Sequence, residues 1–260
     1  MIRLITYPRA IFGIAFVPIW TGLMTIPVIL TGFMRQPDQL TRSMMLWARG
    51  VLWVYGIRIR ARGFEKLPAQ GGAILAFNHQ SLFDIPAVLA KCGGRRIRWG
   101  AKIELFRIPM FGAAMRAGSN LPIARHNRAE VLEVYRQASR LFAEGFMFAL
   151  APEGTRQPNA EIGAFKKGPF LFSSNFGVPV LPLVIYGAHS VLEKGSLFVN
   201  TQQWVSSIEV RVLDPVMPHV KPPPAGEDAP RDKVVAFTDD VRQRMLSAYE
   251  ALRADPSWGC

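Results

Sequence analysis

The chain has 260 residues, half of them hydrophobic, and a formal net charge of +12 at pH 7. This length allows one large domain or two small ones with a buried core, and the charge favours anionic partners such as lipid headgroups, phosphorylated substrates, nucleic acid or an acidic protein. Cys92 and Cys260 lie far apart, which argues against a disulfide scaffold and a cysteine zinc site and favours a reducing compartment.

The first predicted element is an apolar segment that has no charged residue between Arg9 and Arg35. It is long enough to cross a hydrocarbon core of roughly 30 Å, and no small-residue cleavage site of a signal peptide closes it. Pro18 and Pro27 are expected to kink or break a straight helix. A second segment, 43–55, has an amphipathic pattern with aromatic residues suited to a membrane interface. A single span, a hairpin dipping into one leaflet and a buried core helix all remain open, and the short linker with basic residues on both flanks favours the hairpin.

Beyond residue 56 the pattern changes to alternating strands and helices, which is typical of an α/β sheet with helical crossovers. Candidate strands lie at 57–61, 72–77, 97–101, 146–150, 178–186 and 208–213. Helices are predicted at 128–143, 170–176 and 234–252, and an exposed proline-rich loop at 215–230. The sequence therefore predicts a membrane-embedded helical hairpin at 1–56 and, at 57–260, an α/β domain with a mixed, largely parallel sheet flanked by helices.

The predicted strand at 72–77 leads into Asn78 and His79, and Asp84 follows five residues after the histidine. A fully apolar strand is expected to be buried in a sheet covered on both faces, and ligands of open α/β sheets bind at the carboxyl ends of strands. Asp84 can reach back to one imidazole nitrogen, fix the tautomer and leave the other nitrogen as a base. The structural alternative is a capping box made by Ser81 and Asp84, with the histidine in a turn.

Other predicted strand ends carry turns and basic residues. The strand at 146–150 is followed by Ala151-Pro152-Glu153-Gly154-Thr155-Arg156, which taken alone is a turn. Basic residues lie at or near other element ends: Lys102, Arg125, Arg128 and Lys167. A solvated surface charge is the alternative for each of them. The next strand contains Val178-Pro179-Val180-Leu181-Pro182.

These motifs, taken in chain order, carry a family resemblance. Asn78-His79 with Asp84, then Arg125, then Pro152-Glu153-Gly154-Thr155-Arg156, then 178–182 resemble the four motif blocks of glycerolipid acyltransferases, and most closely the 1-acyl-sn-glycerol-3-phosphate acyltransferase family. The hydrophobic N-terminal pair is similar to that of membrane-bound bacterial members. Ala151 departs from the family, in which many members carry phenylalanine at this position, and the difference affects the expected pocket shape.

The resemblance implies that a fatty acyl group moves from an acyl thioester, acyl-CoA or acyl carrier protein, to the sn-2 hydroxyl of 1-acyl-glycerol-3-phosphate. It also implies a site on the cytoplasmic face of the bacterial inner membrane. The expected partners are the lysophospholipid acceptor, the acyl donor and the membrane, with no nucleic acid, no metal and no cofactor beyond the co-substrate.

The residue types suit this chemistry. His79 is expected to act as the general base, and Asp84 to orient it and stabilise the imidazolium. Backbone amides of the turn Glu153-Gly154-Thr155 are candidates to bind the tetrahedral oxyanion. Candidate phosphate ligands are Lys102, Arg125 and Arg156, supported by Arg128 and Lys167. Glu153 is expected to bond a glycerol hydroxyl or to order Arg156.

Other functions fit the sequence less well. The motif blocks are shared with acyltransferases that use lyso-ornithine lipid or glycerol 3-phosphate, so these acceptors remain open. A lipase or esterase would need the motif Gly-x-Ser-x-Gly, which the sequence lacks. A non-enzymatic basic module that binds membrane or nucleic acid fits the charge, for example at Arg95-Arg96-Ile97-Arg98, but no nucleic-acid motif accompanies it. A nucleotide-binding enzyme is disfavoured because neither a Walker loop nor Gly-x-Gly-x-x-Gly is present.

Overall fold

The fold is organised around a seven-stranded sheet with the order β1-β7-β6-β2-β5-β3-β4. The computed structural model describes residues 2–68, 72–123, 128–200, 203–224 and 226–255. The strands are β1 Ile57–Arg62, β2 Ala73–Phe77, β3 Ile97–Lys102, β4 Leu121–Ile123, β5 Met147–Leu150, β6 Val180–Tyr186 and β7 Ser206–Val212. Neighbouring strands are parallel except for β6 and β7, which are antiparallel. The predicted mixed, largely parallel sheet is therefore confirmed.

Helices cover both faces of this sheet. They are α1 Ile2–Phe33, α2 Pro37–Val54, α3 Asp84–Lys91, α4 Phe111–Ala117, α5 Arg128–Ala143, α6 Gly168–Phe176, α7 Ala188–Val191 and α8 Arg231–Arg253. Side chains alternate across β2, so Leu75 packs with the cluster that includes α2 and α3, whereas Ile74 packs with the cluster that includes α6 and α8. This two-sided burial explains why every residue of β2 is apolar.

The first two helices form an antiparallel hairpin. The indole N–H of Trp20 donates to the carbonyl of Trp47 over 3.0 Å, and the indole N–H of Trp47 donates to the hydroxyl of Thr21 over 3.0 Å. Two glycines let α1 approach the rest of the protein closely near both of its ends. Gly13 faces the ring of Tyr55, and Gly32 faces the backbone at the end of α4. Arg9, near the start of α1, lies over the ring of Trp204, 4.5 Å from its centroid, so α1 contacts the α/β domain near both of its ends.

Helix α1 is continuous through Pro18 and Pro27, so these prolines do not break the helix, and a kink at them stays a prediction. An interior proline costs about 3 kcal/mol in an isolated helix, and packing against α2 and α4 offsets this cost here. An 18-residue stretch of Tyr7–Phe33 has a mean hydropathy of 1.9, and only 22% of that stretch is buried, which argues against a buried core helix. Its exposed apolar side chains include Phe12, Ile19, Leu23, Ile26, Leu30 and Phe33.

Helix α2 joins the hairpin to the core. Ala48, Val51 and Leu52 are buried in the same apolar cluster as Leu75 of β2. The hairpin thus shares a core with the sheet, and the domain boundary at residue 56 stays a prediction. Because α2 buries one face against the sheet and packs its other side on α1, the hairpin is held firmly against the domain.

Candidate active site

The candidate site lies at the carboxyl edge of the central strands. β2 leads to His79, its neighbour β5 leads to Glu153, and β3, next to β5, ends at Lys102. Strands in a sheet are spaced by about 4.8 Å, so the ends of β2 and β3 lie about 10 Å apart. Two of the motif blocks and Lys102 are therefore brought to one edge, as expected for a ligand site in an α/β sheet.

His79 and Asp84 are in direct contact. The Nδ1 atom of His79 lies 2.7 Å from Oδ2 of Asp84, which also accepts hydrogen bonds from the backbone N–H groups of Gln80 at 2.8 Å and Ser81 at 2.9 Å. The carboxylate is fully buried, whereas the imidazole is 21% exposed. An acceptor at Nδ1 places the proton of the neutral ring on that atom and leaves the lone pair on Nε2. Within the described ranges no protein group hydrogen-bonds to Nε2.

Only one of the two hydrogen bonds of the capping-box alternative is formed. The N–H of Ser81 donates to Asp84, which is the return bond of a capping box. The hydroxyl of Ser81, however, donates to the carbonyl of Leu192 over 2.9 Å and does not cap α3. The same carboxylate thus orders the turn and orients the imidazole, so the structural and the catalytic interpretations are compatible.

The backbone on either side of the imidazole is fixed by two neighbouring elements. The side chain of Asn78 donates to the carbonyl of Ile185 at 2.8 Å and accepts from its N–H at 2.7 Å, which ties the end of β2 to β6. The carbonyl of His79 accepts from the N–H of Gln157 over 2.8 Å, which ties it to the loop after β5. Sequence analysis did not assign a role to Gln157, and its place directly after Arg156 was the only signal.

Glu153 carries a buried carboxyl group. Its side chain is 4% exposed, and neither carboxylate oxygen has a hydrogen-bond partner among the described residues. Burial raises the pKa of Glu153 to about 7; the nearby amide of Gln157 and the backbone of His79 oppose this shift, and the charge of Asp84 adds to it. No described ion pair joins Glu153 to Arg156, and the bond from this carboxyl to a glycerol hydroxyl stays a prediction.

Gly154 lies in a tight turn, and its backbone amide was one of the expected oxyanion donors. Its φ is +72°, a conformation that glycine adopts without strain. Its N–H donates to the carbonyl of Ala151 over 3.0 Å, so this amide is engaged in the turn and does not serve as an oxyanion donor. The amides of Glu153 and Thr155 remain as the candidates from this turn.

Lys166 also lies at this turn. A Cβ added at Gly154 would come within 2.8 Å of Cε of Lys166, and the N–H of Lys166 donates to the carbonyl of Pro152 over 2.8 Å. The sequence singled out Lys167 instead, which is the residue before α6 and is exposed. Two adjacent lysines carry no sequence signal that tells which one turns toward the loop.

Of the remaining candidate phosphate ligands, the structure describes the side chains of some and not of others. Arg156 is half-buried after the turn, and Lys102 is exposed at the end of β3. Arg125 lies outside the described residues, and only the backbone of Arg128, the first residue of α5, is described. In the described part of the chain, no group of histidine, cysteine, aspartate and glutamate side chains could hold a metal ion.

Comparison with known proteins agrees with this arrangement. The family model described as Acyltransferase matches residues 58–186. The chain is 30% identical over 152 residues to the chloroplastic 1-acyl-sn-glycerol-3-phosphate acyltransferase LPAT1 of Arabidopsis thaliana, covering 58% of this chain and 42% of the relative. It is 28% identical over 254 residues to the human 1-acyl-sn-glycerol-3-phosphate acyltransferase alpha, covering 95% of this chain and 84% of the relative. The chain therefore spans less than half the length of the plant relative and most of the human one.

A solved structure extends the likeness to the whole fold. The 1-acyl-sn-glycerophosphate (LPA) acyltransferase PlsC of Thermotoga maritima superposes with a TM-score of 0.79 at 22% identity, covering 99% of this chain and all of the other. The fold is thus shared from the N-terminal hairpin to the C-terminal helix. Residues 58–186 thus belong to the acyltransferase family, and the chain as a whole is similar to 1-acyl-sn-glycerol-3-phosphate acyltransferases.

Proposed function

We propose that this protein transfers a fatty acyl group from an acyl thioester to the sn-2 hydroxyl of 1-acyl-glycerol-3-phosphate, which gives phosphatidic acid. The observation that carries the proposal is the 2.7 Å contact between His79 and the buried Asp84, with Nε2 left for a substrate. The printed names of the plant and human relatives support the choice of acceptor.

In the proposed reaction, Nε2 of His79 takes the proton of the acceptor hydroxyl as its oxygen attacks the thioester carbonyl. The C–O bond forms, and the tetrahedral intermediate then collapses with cleavage of the C–S bond. The leaving thiolate takes the proton from the imidazolium, which returns His79 to its neutral form. Asp84 holds the tautomer and stabilises the imidazolium. No enzyme nucleophile is needed, because the acceptor hydroxyl is the nucleophile. A positioned base of this kind contributes about 10²- to 10⁴-fold in rate.

The loop after β5 is the proposed acceptor site. The phosphate would be bound by Arg156 and Lys166, together with Lys102 at the end of the neighbouring strand β3 and Arg125 from the second motif block. Guanidinium groups offer paired hydrogen bonds to phosphate oxygens. Glu153 would bond a glycerol hydroxyl. A buried polar group without a partner destabilises the free protein by about 1–3 kcal/mol, so a hydroxyl that supplies the missing hydrogen bond is bound more favourably.

We further propose that the hairpin lies in one leaflet of the cytoplasmic membrane. Arg9 and Gly32 of α1 are about 35 Å apart along the helix, and both contact the α/β domain, Arg9 at Trp204 and Gly32 at the end of α4. A helix crossing the bilayer would carry one of these contacts away from the domain. The exposed apolar face of α1 and the net charge of +12 suit a bilayer with anionic headgroups. Leu82, three residues after the catalytic histidine, is exposed as well.

The acceptor is tested with the purified protein in vesicles. Lysophosphatidic acid, lyso-ornithine lipid and glycerol 3-phosphate are offered separately, each with acyl-CoA and with acyl-acyl carrier protein as the donor. We expect the highest kcat/KM with lysophosphatidic acid. Acylation of lyso-ornithine lipid or glycerol 3-phosphate in preference to lysophosphatidic acid would overturn the proposed acceptor, and the two donor series identify the thioester.

Membrane attachment is tested by co-sedimentation with vesicles that contain phosphatidylglycerol. Leu23→Asp places a charge on the exposed face of α1 and is expected to reduce binding. Met217→Asp is the matched control, because Met217 is 57% exposed. Its neighbour Val216 pairs with Val180, the first residue of β6, so Met217 lies at the edge of the sheet opposite to the candidate site. Equal binding by both variants would contradict the proposed attachment through α1.

A further inference from the structure

Helix α8 holds the loop that carries the acceptor motif. This loop, residues 151–167 and here named the motif loop, connects β5 to α6. The guanidinium of Arg242 donates from Nε to the carbonyl of Gly163 over 2.9 Å and from Nη2 to the carbonyl of Ile162 over 3.2 Å. About two turns further along the same helix, the hydroxyl of Tyr249 donates to the carbonyl of Ala160 over 3.1 Å.

Tyr249 also reaches the turn that contains His79. The side-chain amide of Gln80 donates to the hydroxyl of Tyr249 over 3.1 Å and to the carbonyl of Glu161 over 3.2 Å. The backbone N–H of Gln80 in turn donates to Oδ2 of Asp84. A continuous series of hydrogen bonds therefore runs from α8 through Gln80 to the carboxylate that orients the imidazole.

The contact between Gln80 and Tyr249 is buried, and the bonds from Arg242 are strong. Gln80 is fully buried, and Tyr249 is buried with its ring packed against Tyr186 at a centroid distance of 5.2 Å. Burial raises the pKa of Tyr249 to about 12, so its hydroxyl keeps its proton and remains a donor at neutral pH. The bonds from Arg242 are charge-assisted and hence stronger than bonds between neutral groups.

Gln157 connects the part of the motif loop that carries Glu153 and Arg156 to the part that α8 binds, so the position of the first part depends on that of the second. The N–H of Gln157 bonds the carbonyl of His79, and the side chain of Gln157 lies against Gly163, whose carbonyl accepts from Arg242. A shift of Gly163 would therefore be transmitted through Gln157 to the segment that holds Glu153 and Arg156. A misplacement of about 1 Å in a reacting geometry can cost on the order of 10²-fold in rate.

We propose that Arg242 and Tyr249 are positioning residues for acyl transfer: α8 fixes the distal part of the motif loop so that the acceptor groups keep their places relative to His79. Neither residue belongs to the motif blocks, and Tyr249 is 89 residues from its loop partner Ala160 along the chain. The inference rests on the acceptor role proposed above for the motif loop.

The kinetic test separates the two substrates. Arg242→Ala is expected to raise the KM for lysophosphatidic acid about five- to tenfold without changing the KM for the acyl donor, and Arg242→Lys to recover part of the loss. Tyr249→Phe keeps the ring and is expected to lower kcat about tenfold, because Gln80 loses a partner next to Asp84. Arg244→Ala is the matched control, since Arg244 lies on the same helix and pairs only with the surface residue Asp240 among the described residues. Its kinetics are expected to match the wild type.

Hydrogen–deuterium exchange of the wild type and the same variants provides a test that does not need a substrate. Amides of residues 157–166 are expected to exchange faster in Arg242→Ala than in the wild type or in Arg244→Ala. Unchanged exchange would overturn the positioning role whatever the acceptor is. Faster exchange in a protein that does not acylate lysophosphatidic acid would leave the positioning role standing and overturn the proposed function. A rise in both KM values in parallel, with a lower Tm, would show that α8 acts only through overall stability and would also overturn the inference.

Discussion

The buried carboxyl of Glu153 makes the stability of the folded protein depend on pH. Its pKa rises from 4.5 to about 7 on folding, chiefly through burial. Between these two values the folded protein keeps a proton that the unfolded chain has lost, so stability falls as pH rises through this window and stays low above it. The shift corresponds to about 3 kcal/mol at roughly 1.4 kcal/mol for each pH unit.

The substitution Glu153→Gln removes this titration and keeps the shape of the side chain. Relative to the wild type, the variant should unfold at nearly the same temperature at pH 5 and at a temperature higher by about 6–12 °C at pH 8, taking 2–4 °C per kcal/mol. Thermal unfolding in detergent, followed by tryptophan fluorescence at both pH values, measures the difference. Glu227→Gln, at an exposed position in the loop before α8, is the control and should leave Tm unchanged at both. A Tm difference for Glu153→Gln that is the same at pH 5 and pH 8 would refute the reasoning.

Three further substitutions test the site. Asp84→Asn should lower kcat about 10³- to 10⁴-fold, because an amide favours the wrong imidazole tautomer, and a kcat within tenfold of the wild type would contradict this role. Arg156→Ala should raise KM for lysophosphatidic acid more than for an acceptor without phosphate, and equal rises would argue against phosphate binding. Gly154→Ala and Gly145→Ala both impose a side chain at positive φ, +72° and +78°, but only the first displaces Lys166, since nothing lies within 4 Å of the Cβ position at Gly145. Assays of acyl transfer should therefore show a loss for Gly154→Ala alone, and equal losses would contradict a role for Lys166.

The parts of the site that depend on local sequence were predictable. His79 and Asp84 are separated by one turn, so the possible contact between them follows from spacing. The ends of the six predicted strands agree within two residues with β1, β2, β3, β5, β6 and β7, and the most buried of these strands are continuous apolar runs. Strand β4, with only three residues, was not predicted. The helices α4 and α7, with seven and four residues, were not predicted, since they are too short to show a helical repeat.

The contacts between distant segments were not predictable. Gln80 and Tyr249 are 169 residues apart, and nothing in the pattern of α8 distinguishes Tyr249 from an ordinary core residue. Pro18 and Pro27 argued for a broken helix from local rules, and the packing of α1 on α2 and α4 outweighs those rules. The engagement of the Gly154 amide is likewise a property of the folded turn, because the sequence marks the glycine but not its partner.

The most direct test of the mechanism is the turnover of His79→Ala in vesicles with saturating lysophosphatidic acid and acyl donor. His219→Ala is the matched control, because His219 forms a second histidine–aspartate contact, 3.3 Å to Asp240, away from the site and partly exposed. We predict that His79→Ala lowers kcat about 10²- to 10⁴-fold, that its Tm and vesicle binding equal those of the wild type, and that His219→Ala retains full activity. A kcat of His79→Ala within a few-fold of the wild type would contradict the assignment of His79 as the base.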